Sequence, residues 1–471
     1  MQNEIYKLSA FELTNLYKDK ALSPVEASKS VLERIKKIDK DINAYVFIDE
    51  DKALKEAKES EKRWMDNSPK GKLDGVPTSI KDLLLTKGWP TLRGSKTIKK
   101  EDDWDDDAPV TARLKEAGAI LLGKTTTPEF GHRGTTQSPL TGITRNPWNL
   151  DLTSGGSSGG SSSAVASGMG PLSIGTDGGG SVRIPCSFTG IFGIKPTFGK
   201  IPAWPLSPFG TIANLGPMTR TVHEGAILFS VISSPDWRDW HADSHMDSNF
   251  IERLSEGIKG KKIAYCPDFG MEKFIKNKLV QSDVDRTIKR TVKLLELAGA
   301  KIEQVNIEWE YDPKKAFHVL WTSGAAFLSR NFTKEQFSKL DPVFREFCEI
   351  GKTHSLFDRL EVEASRGSNG TVINKIFQKF DYIVGPTMPI TAFSAEKLVP
   401  DGFGNNLFDW TPFTYPFNMT CHPAATVNCG FVEGLPVGFQ IIAKPNADGD
   451  VFVCAATVET AVSLTDRWPN I

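Results

Sequence analysis

The 471-residue sequence predicts an α/β layered protein built around one large sheet. Three observations predict it. Short apolar runs of strand length alternate with amphipathic helical segments; no internal repeat or linker-like break divides the chain; and no apolar run approaches the roughly 18 residues of a membrane span. Hydrophobic residues make up 39% and charged residues 24%, with 40 Gly and 28 Pro, which excludes a disordered chain, a collagen and a disulfide scaffold. The formal net charge of -1 gives no general attraction to nucleic acid or an anionic membrane. Six cysteines, Cys186, Cys266, Cys348, Cys421, Cys429 and Cys454, show no C-x-x-C and no His pairing, so neither a zinc site nor a disulfide framework is expected. Without a basic, then apolar, leader the expected location is cytoplasmic, and the sequon at Asn418 carries no weight.

Taken in order, Ser9-Ala-Phe-Glu12 and Ser23-Pro24-Val25-Glu26 are capping boxes opening two helices. In the second, Val25, Val31, Leu32, Ile35 and Ile38 share one face, which predicts packing on a core. A charged helix near 51–65 follows. Then come the strand-like runs Gly75 to Ile80, Ala119 to Leu122 and Leu172 to Gly175, with a helix from Val110 to Ala117 between them. The acidic stretch Glu101 to Asp107 reads as a solvated loop rather than a cation site. Residues 236–375 read as helical and charged, and strands return at Tyr382 to Val384, Ala424 to Val427 and Val437 to Ala443. One domain over 1–471 is therefore expected: N-terminal helices over 1–66, a glycine-rich core over 70–215, the helical region 236–375 and a last part of the sheet over 380–471.

Three motifs compete to carry chemistry. Gly118 to Thr125 fits a P-loop letter by letter, but Ala119-Ile-Leu-Leu122 reads as a buried strand whose N–H groups cannot turn to phosphates. Gly155-Gly-Ser157-Ser-Gly159 fits a nucleophile elbow, yet Asp151-Leu-Thr-Ser-Gly is a poor strand to enter one. An α/β-hydrolase-like esterase would also need partners such as His354 or His422, which no local signature supports. The third pattern is larger: Lys81 closing an apolar strand, then Ser154-Gly-Gly-Ser157-Ser158-Gly-Gly-Ser161, then Gly175-Thr176-Asp177-Gly178-Gly179-Gly180-Ser181-Val-Arg183-Ile-Pro185. A flexible linker would not merge into the small-residue helix at Ser163 to Ser167, so these glycines read as ordered and close to a ligand.

A serine hydroxyl attacks a carbonyl only when a base takes its proton, and a buried lysine with a depressed pKa serves. Lys81 is such a candidate, with Ser157 as a hydroxyl bridge to the nucleophile Ser181. The N–H groups of Gly178, Gly179 and Gly180 are expected to converge on the developing oxyanion.

At these residues the sequence resembles the amidase signature family of serine hydrolases, which use a Ser-cisSer-Lys triad. The resemblance is strongest over 70–215 and returns at Phe380 to Pro389 and Pro416 to Ala425. It implies a mixed, mostly parallel central sheet sandwiched between helices. It also implies Ser181 as the acyl-forming nucleophile, Ser157 as a bridge in a cis peptide, and Lys81 as general base. The backbone of Gly178 to Ser181 would form the oxyanion hole, with the Gly131 backbone on the leaving side and Ser158, Thr176, Asp177 and Arg183 in support. Asp177 and Arg183 read as an internal pair that supports the loop, with a direct substrate role for Arg183 the competing reading. Gly178 stands where the family often has Thr or Ile, which implies a slightly looser loop with its donors intact. In such a site His132 and His422 are structural.

The expected activity is cofactor-independent and metal-free hydrolysis of carboxylic amide C–N bonds. Aryl acylamides, carbamates and esters are chemically compatible, and the partner is a small-molecule amide, with no nucleic acid, no membrane and a homodimer unsurprising. The alternative within the family is the glutaminase component of a tRNA-dependent amidotransferase, whose arginine-tyrosine segment has no good counterpart here. A non-catalytic scaffold is the alternative from another class. Trp204, Phe317, Trp321, Phe327, Phe403, Phe408, Trp410 and Phe413 are candidates for an apolar substrate pocket, with plain core packing the competing reading.

Overall fold

Both N-terminal capping boxes form. Ser9 and Glu12 satisfy each other's N–H groups at the start of α1 (Ala10–Lys18), and Ser23 and Glu26 do so for α2 (Pro24–Ile42), with Pro24 in its first turn. The computed structural model describes residues 2–243, 249–275, 280–404 and 406–471. Along α2, Val31, Leu32, Ile35 and Ile38 are buried as expected and Val25 partly so, and the helix stops where Asn43 takes the left-handed conformation. The charged helix is α3 (Glu50–Met65), and α4 (Pro109–Glu116) lies where Val110 to Ala117 predicted it.

Eleven strands make one sheet: β1 (Tyr45–Ile48), β2 (Pro77–Lys81), β3 (Ile120–Thr125), β4 (Leu172–Asp177), β5 (Phe192–Lys195), β6 (Asn214–Thr219), β7 (Lys262–Tyr265), β8 (Lys301–Gln304), β9 (Tyr382–Pro386), β10 (Ala424–Val432) and β11 (Leu435–Ile442). Their spatial order is β1-β3-β2-β4-β6-β5-β10-β11-β9-β7-β8. The sheet is mixed, but the expectation that it is mostly parallel is corrected. β3–β2, β2–β4, β9–β7 and β7–β8 are parallel, and the other six junctions are antiparallel. One cause is local: Glu433 and Gly434, both at positive φ, close β10 onto β11 in a tight hairpin, and a hairpin pairs only antiparallel.

The middle region is helical, as expected, through α8 (Ser282–Leu297), α9 (Pro313–Ser329) and the helices Pro342–Gly351 and Leu356–Ile376, yet it also supplies β7 and β8. β8, Lys-Ile-Glu-Gln at the sheet edge, is largely exposed, so it carries no apolar run to betray it. Along the strands, side chains alternate between two cores. Val384 and Val427 join Leu228 and Phe229 of α7 (Val222–Ile232) and Val284 and Ile288 of α8 on one face. Ile383 and Ala424 join Phe317, Leu320 and Trp321 of α9 with Trp410, Phe413 and Phe417 on the other.

The placement of the site follows from the parallel pairing of β2 with β4, register Ile80↔Ile174. Both strands end at the same margin, so Lys81 finishes beside the last residues of β4 and reaches Thr176. In open α/β sheets the carboxyl ends of strands are where ligands bind. The small-residue helix α5 (Gly159–Ala166) is wholly buried against the sheet, and α6 (Arg183–Thr189) leaves directly after the glycines Gly178 to Gly180. All six cysteines are free thiols, and among the described residues no helix is long and apolar enough to cross a membrane.

Candidate active site

Lys81 is the last residue of β2 and its side chain is fully buried. Its Nζ lies 2.7 Å from Ser157 Oγ, 2.8 Å from Ser158 Oγ and 2.8 Å from Thr176 Oγ1. Among the described residues no carboxylate touches it, so burial pushes the amine well below its usual range, while the charge of Asp177 works in the opposite direction. A neutral amine donates two hydrogens and accepts one. Ser158 Oγ donates to the Thr176 carbonyl and accepts the Thr176 N–H, so it receives rather than gives a proton at Lys81. The lone pair of a neutral Lys81 is then available to the hydroxyl of Ser157.

Ser157 follows a cis Gly156–Ser157 peptide, as the resemblance implied. The segment passes so close to its neighbour that a Cβ at Gly156 would lie 2.6 Å from the Thr135 carbonyl carbon. Gly131, at φ +72°, sits beside it, with the place of a Cβ 3.2 Å from Ser157 Oγ; its own N–H is donated to Pro128 O. Ser158 N–H donates to Ser181 O at 3.1 Å, which couples the two serine clusters through the backbone. Ser181 Oγ makes no hydrogen bond among the described residues. Ser157 and Ser181 both line one cavity, but their hydroxyls are not bonded to each other.

Asp177 and Arg183 form the expected internal pair, fully buried, with Nε to Oδ2 at 3.0 Å and Nη2 to Oδ1 at 3.0 Å. Arg183 also donates to Thr414 O, Gln440 Oε1 and Asn418 Oδ1, so every N–H of the fork is engaged and none is left for substrate. Burial alone would push the Asp177 carboxyl up, but Arg183 and the Asn418 amide hold it down to about 2. One expectation is corrected here. Asp177 Oδ1 accepts the Gly180 N–H at 2.7 Å, so Gly180 presents its donor to that carboxylate and not to the cavity. The N–H groups of Gly178, Gly179 and Ser181 have no acceptor among the described residues.

The bareness of this loop has a visible cause. A Cβ at Gly178 would lie 2.9 Å from the Trp321 ring and one at Gly179 2.5 Å from the Phe317 ring. The Gly178 departure therefore does not loosen the loop: Trp321 fills the space a larger residue would take. Trp321 is itself fixed, stacked on Phe209 at 4.1 Å and donating its indole N–H to His132 O at 2.8 Å.

A cavity of about 220 Å³ opens over Ser157, Thr176, Gly178, Ser181 and Gly131, walled by Leu83, Phe130, Trp204, Phe209, Trp321 and Leu328. Of the aromatic candidates, Trp204 and Trp321 line it and Phe317 backs it. Phe403, Phe408, Trp410 and Phe413 are core, and Phe327 is exposed under Arg330. The histidines considered for the nucleophile-elbow reading are engaged elsewhere. His354 bonds Thr322, His422 bonds Thr420 and Asn374, and His132 bonds Glu129 O; burial pushes His132 and His422 down to about 3. The strand Asn149–Thr153 does form, but in a two-stranded ribbon outside the main sheet. The P-loop match is buried strand β3, with Lys124 bonded to Leu84 O and Thr91 Oγ1, and the acidic stretch is a loop with no metal-binding cluster among the described residues. Sequence reasoning missed Thr414, Asn418 and Gln440, which hold Arg183 from more than 230 residues away, and Leu83, Phe130 and Phe209 in the cavity wall. Asn418 lies in the segment Pro416 to Ala425 where the resemblance returns, and nothing local marked the others.

The model of the family described as Amidase matches residues 26–452. An acylamidase of Rhodococcus erythropolis is 33% identical, over 99% of this chain and 98% of that protein. The A subunit of the glutamyl-tRNA(Gln) amidotransferase of Pediococcus pentosaceus is 30% identical over 99% of each. Among solved structures, a bacterial aryl acylamidase of the amidase signature enzymes superposes with a TM-score of 0.90 at 30% identity, covering 96% of both chains.

Proposed function

This chain belongs to the amidase family, the amidase signature hydrolases, and from that membership we propose that it cleaves carboxylic amide C–N bonds through an acyl-enzyme on Ser181. The observation that carries the reading is the Lys81 amine, buried among three hydroxyls with no counter-ion in contact. As Ser181 Oγ bonds to the substrate carbonyl carbon, its proton passes to Ser157 Oγ while Ser157 gives its own to Lys81 Nζ. The carbonyl electron pair moves to oxygen, where the N–H groups of Gly178, Gly179 and Ser181 receive it. Collapse breaks the C–N bond, and Lys81 returns the proton through Ser157 to the departing amine, on the side of the Gly131 backbone. Water then attacks acyl-Ser181 by the same relay, releasing the acid and restoring neutral Lys81. Ser181 Oγ must come within reach of Ser157 Oγ when substrate is bound, a tightening common at catalytic hydrogen bonds.

Asp177 shapes the loop by gripping the Gly180 and Val182 N–H groups, and Ser158 and Thr176 hold Lys81. The apolar walls favour acyl or aryl groups on the amide, as in the aryl acylamidase relative. The test is mass spectrometry of the intact protein quenched during turnover of a 4-nitroanilide. An increment equal to the acyl group, mapping to Ser181 and absent in Ser181→Ala, is expected; release of nitroaniline without Ser181 would overturn the mechanism. The likeness to an amidotransferase component favours a second reading, a glutaminase within a complex. Turnover of glutamine only after co-purification with partner proteins would select it.

A further inference from the structure

The cavity wall carries a guanidinium that the mechanism leaves unused. Arg93 lines the cavity with Ser157 and Ser181, yet its guanidinium makes no hydrogen bond or ion pair with any described residue. Arg93 is partly exposed at the cavity wall, whereas the buried arginines nearby all have acceptors: Arg133 has Asp341 and Gln137 O, Arg183 its full set, and Arg366 Met419 O, Thr211 and Glu363. The nearest carboxylate to influence Arg93 is Asp82, which is committed elsewhere, accepting the N–H groups of Leu92 and Gly94 and facing the buried Lys124. Asp239, also in the cavity wall, accepts from the N–H groups of Ala203 and His241. The backbone around Arg93 is pinned. Its carbonyl accepts the Phe130 N–H at 2.8 Å, its neighbours are held by Asp82, and it keeps a left-handed φ of 55°, uncommon for a residue with a side chain. An unpaired guanidinium carried on a pinned backbone at the wall of a mostly apolar cavity is matched by a planar anionic acceptor.

Resting on the amide-hydrolase reading of the same site, we propose that Arg93 is a specificity-determining residue that receives a carboxylate of the substrate, away from the scissile bond. The preferred substrates are amides whose apolar or aryl frame bears a second, anionic group.

Two pairs of probes test this. The glutaric acid mono-4-nitroanilide is compared with its terminal carboxamide, placing the charge on the acyl side. 4-Acetamidobenzoate is compared with 4-acetamidobenzamide, placing it on the amine side. In at least one pair the wild-type kcat/KM for the carboxylate exceeds that for the carboxamide by about 30-fold. Arg93→Gln removes that preference while turning over the carboxamide within about threefold of wild type, which also reports an intact fold, and Arg93→Lys restores part of it. Turnover of neutral amides with no carboxylate preference in either pair, or equal loss on both members in Arg93→Gln, overturns this inference and leaves the hydrolase reading standing. Absence of turnover together with an unlabelled Ser181 after fluorophosphonate treatment overturns the hydrolase reading instead. If Ser181 is labelled but no probe is turned over, protection from the label decides: protection by the carboxylates alone, lost in Arg93→Gln, supports the proposal, and equal or no protection by both overturns it.

Discussion

Replacing Arg183 with Met strips a fully buried carboxylate of its partner, and the structure sets the scale of the loss. Arg183 makes two hydrogen bonds to Asp177 and one each to Thr414 O, Gln440 and Asn418, and both members of the pair are inaccessible to solvent. Breaking a buried pair from one side costs about 3–5 kcal/mol. Asp177 keeps the Gly180 and Asn418 N–H groups, which places Arg183→Met at the lower end of that range. An unfolding entropy of about 2.1 cal/mol/K per residue gives roughly 1 kcal/mol/K for a chain of this length, so the lower end of that range lowers Tm by about 3 °C at neutral pH. The loss depends on pH with a definite sign. In the wild type Asp177 is held at about 2, below its unfolded value of 3.8, so its contribution is present above the unfolded value and lost as pH falls through about 2. In Arg183→Met burial raises the folded pKa above the unfolded one, so stability is retained at low pH and lost as pH rises through the new value. The Tm gap between the proteins is therefore widest near neutrality and narrows as pH falls towards about 4. Thermal melts at a series of pH values read this directly. A gap under about 1 °C, or one that does not change with pH, refutes the reasoning.

Ser181→Ala and Lys81→Ala each lower amide kcat/KM by at least about 1000-fold with folded thermal melts, whereas Ser157→Ala, which shortens the relay, falls between them and wild type; steady-state kinetics on one anilide orders the three. Because burial depresses the Lys81 amine, activity is full above its folded pKa and lost as pH falls through it, with a single ionisation well below 10.5, and His132→Gln does not move that limb. Gly179→Ala drives a Cβ into the Phe317 ring and lowers kcat by about 10-fold to 100-fold, and Phe317→Leu in the same protein recovers part of it; additive losses would disprove the contact.

Lys81, Ser157 and Ser181, the proposed relay, were legible as candidates because each sits in a compact, local pattern: Lys81 closing an apolar strand, Ser157 and Ser181 inside glycine clusters too ordered for a linker. The capping boxes at Ser9 and Ser23 were legible for the same reason, since a cap needs only four residues. What the sequence concealed was non-local or weakly patterned. β8 is four residues at an exposed edge, without the alternation that marks a half-buried strand. The Gly180 N–H looked like an oxyanion donor until its three-residue turn to Asp177 was seen. Thr414, Asn418 and Gln440 meet Arg183 only because β10, β11 and the segment before them fold back on the β5 side of the sheet, and Arg93 gains its meaning only from the cavity it borders.

The central claim is that buried, neutral Lys81 activates Ser181 through Ser157. The most direct measurement is the rate at which a fluorophosphonate adds to Ser181, followed by peptide mass mapping in wild type, Lys81→Ala and Ser157→Ala across pH. The account predicts an adduct on Ser181 alone, with a wild-type rate that falls with decreasing pH as Lys81 takes up a proton, and slow, pH-insensitive labelling without Lys81. Labelling of Ser157 or Ser158, or an unchanged rate at Ser181 in Lys81→Ala, would contradict it.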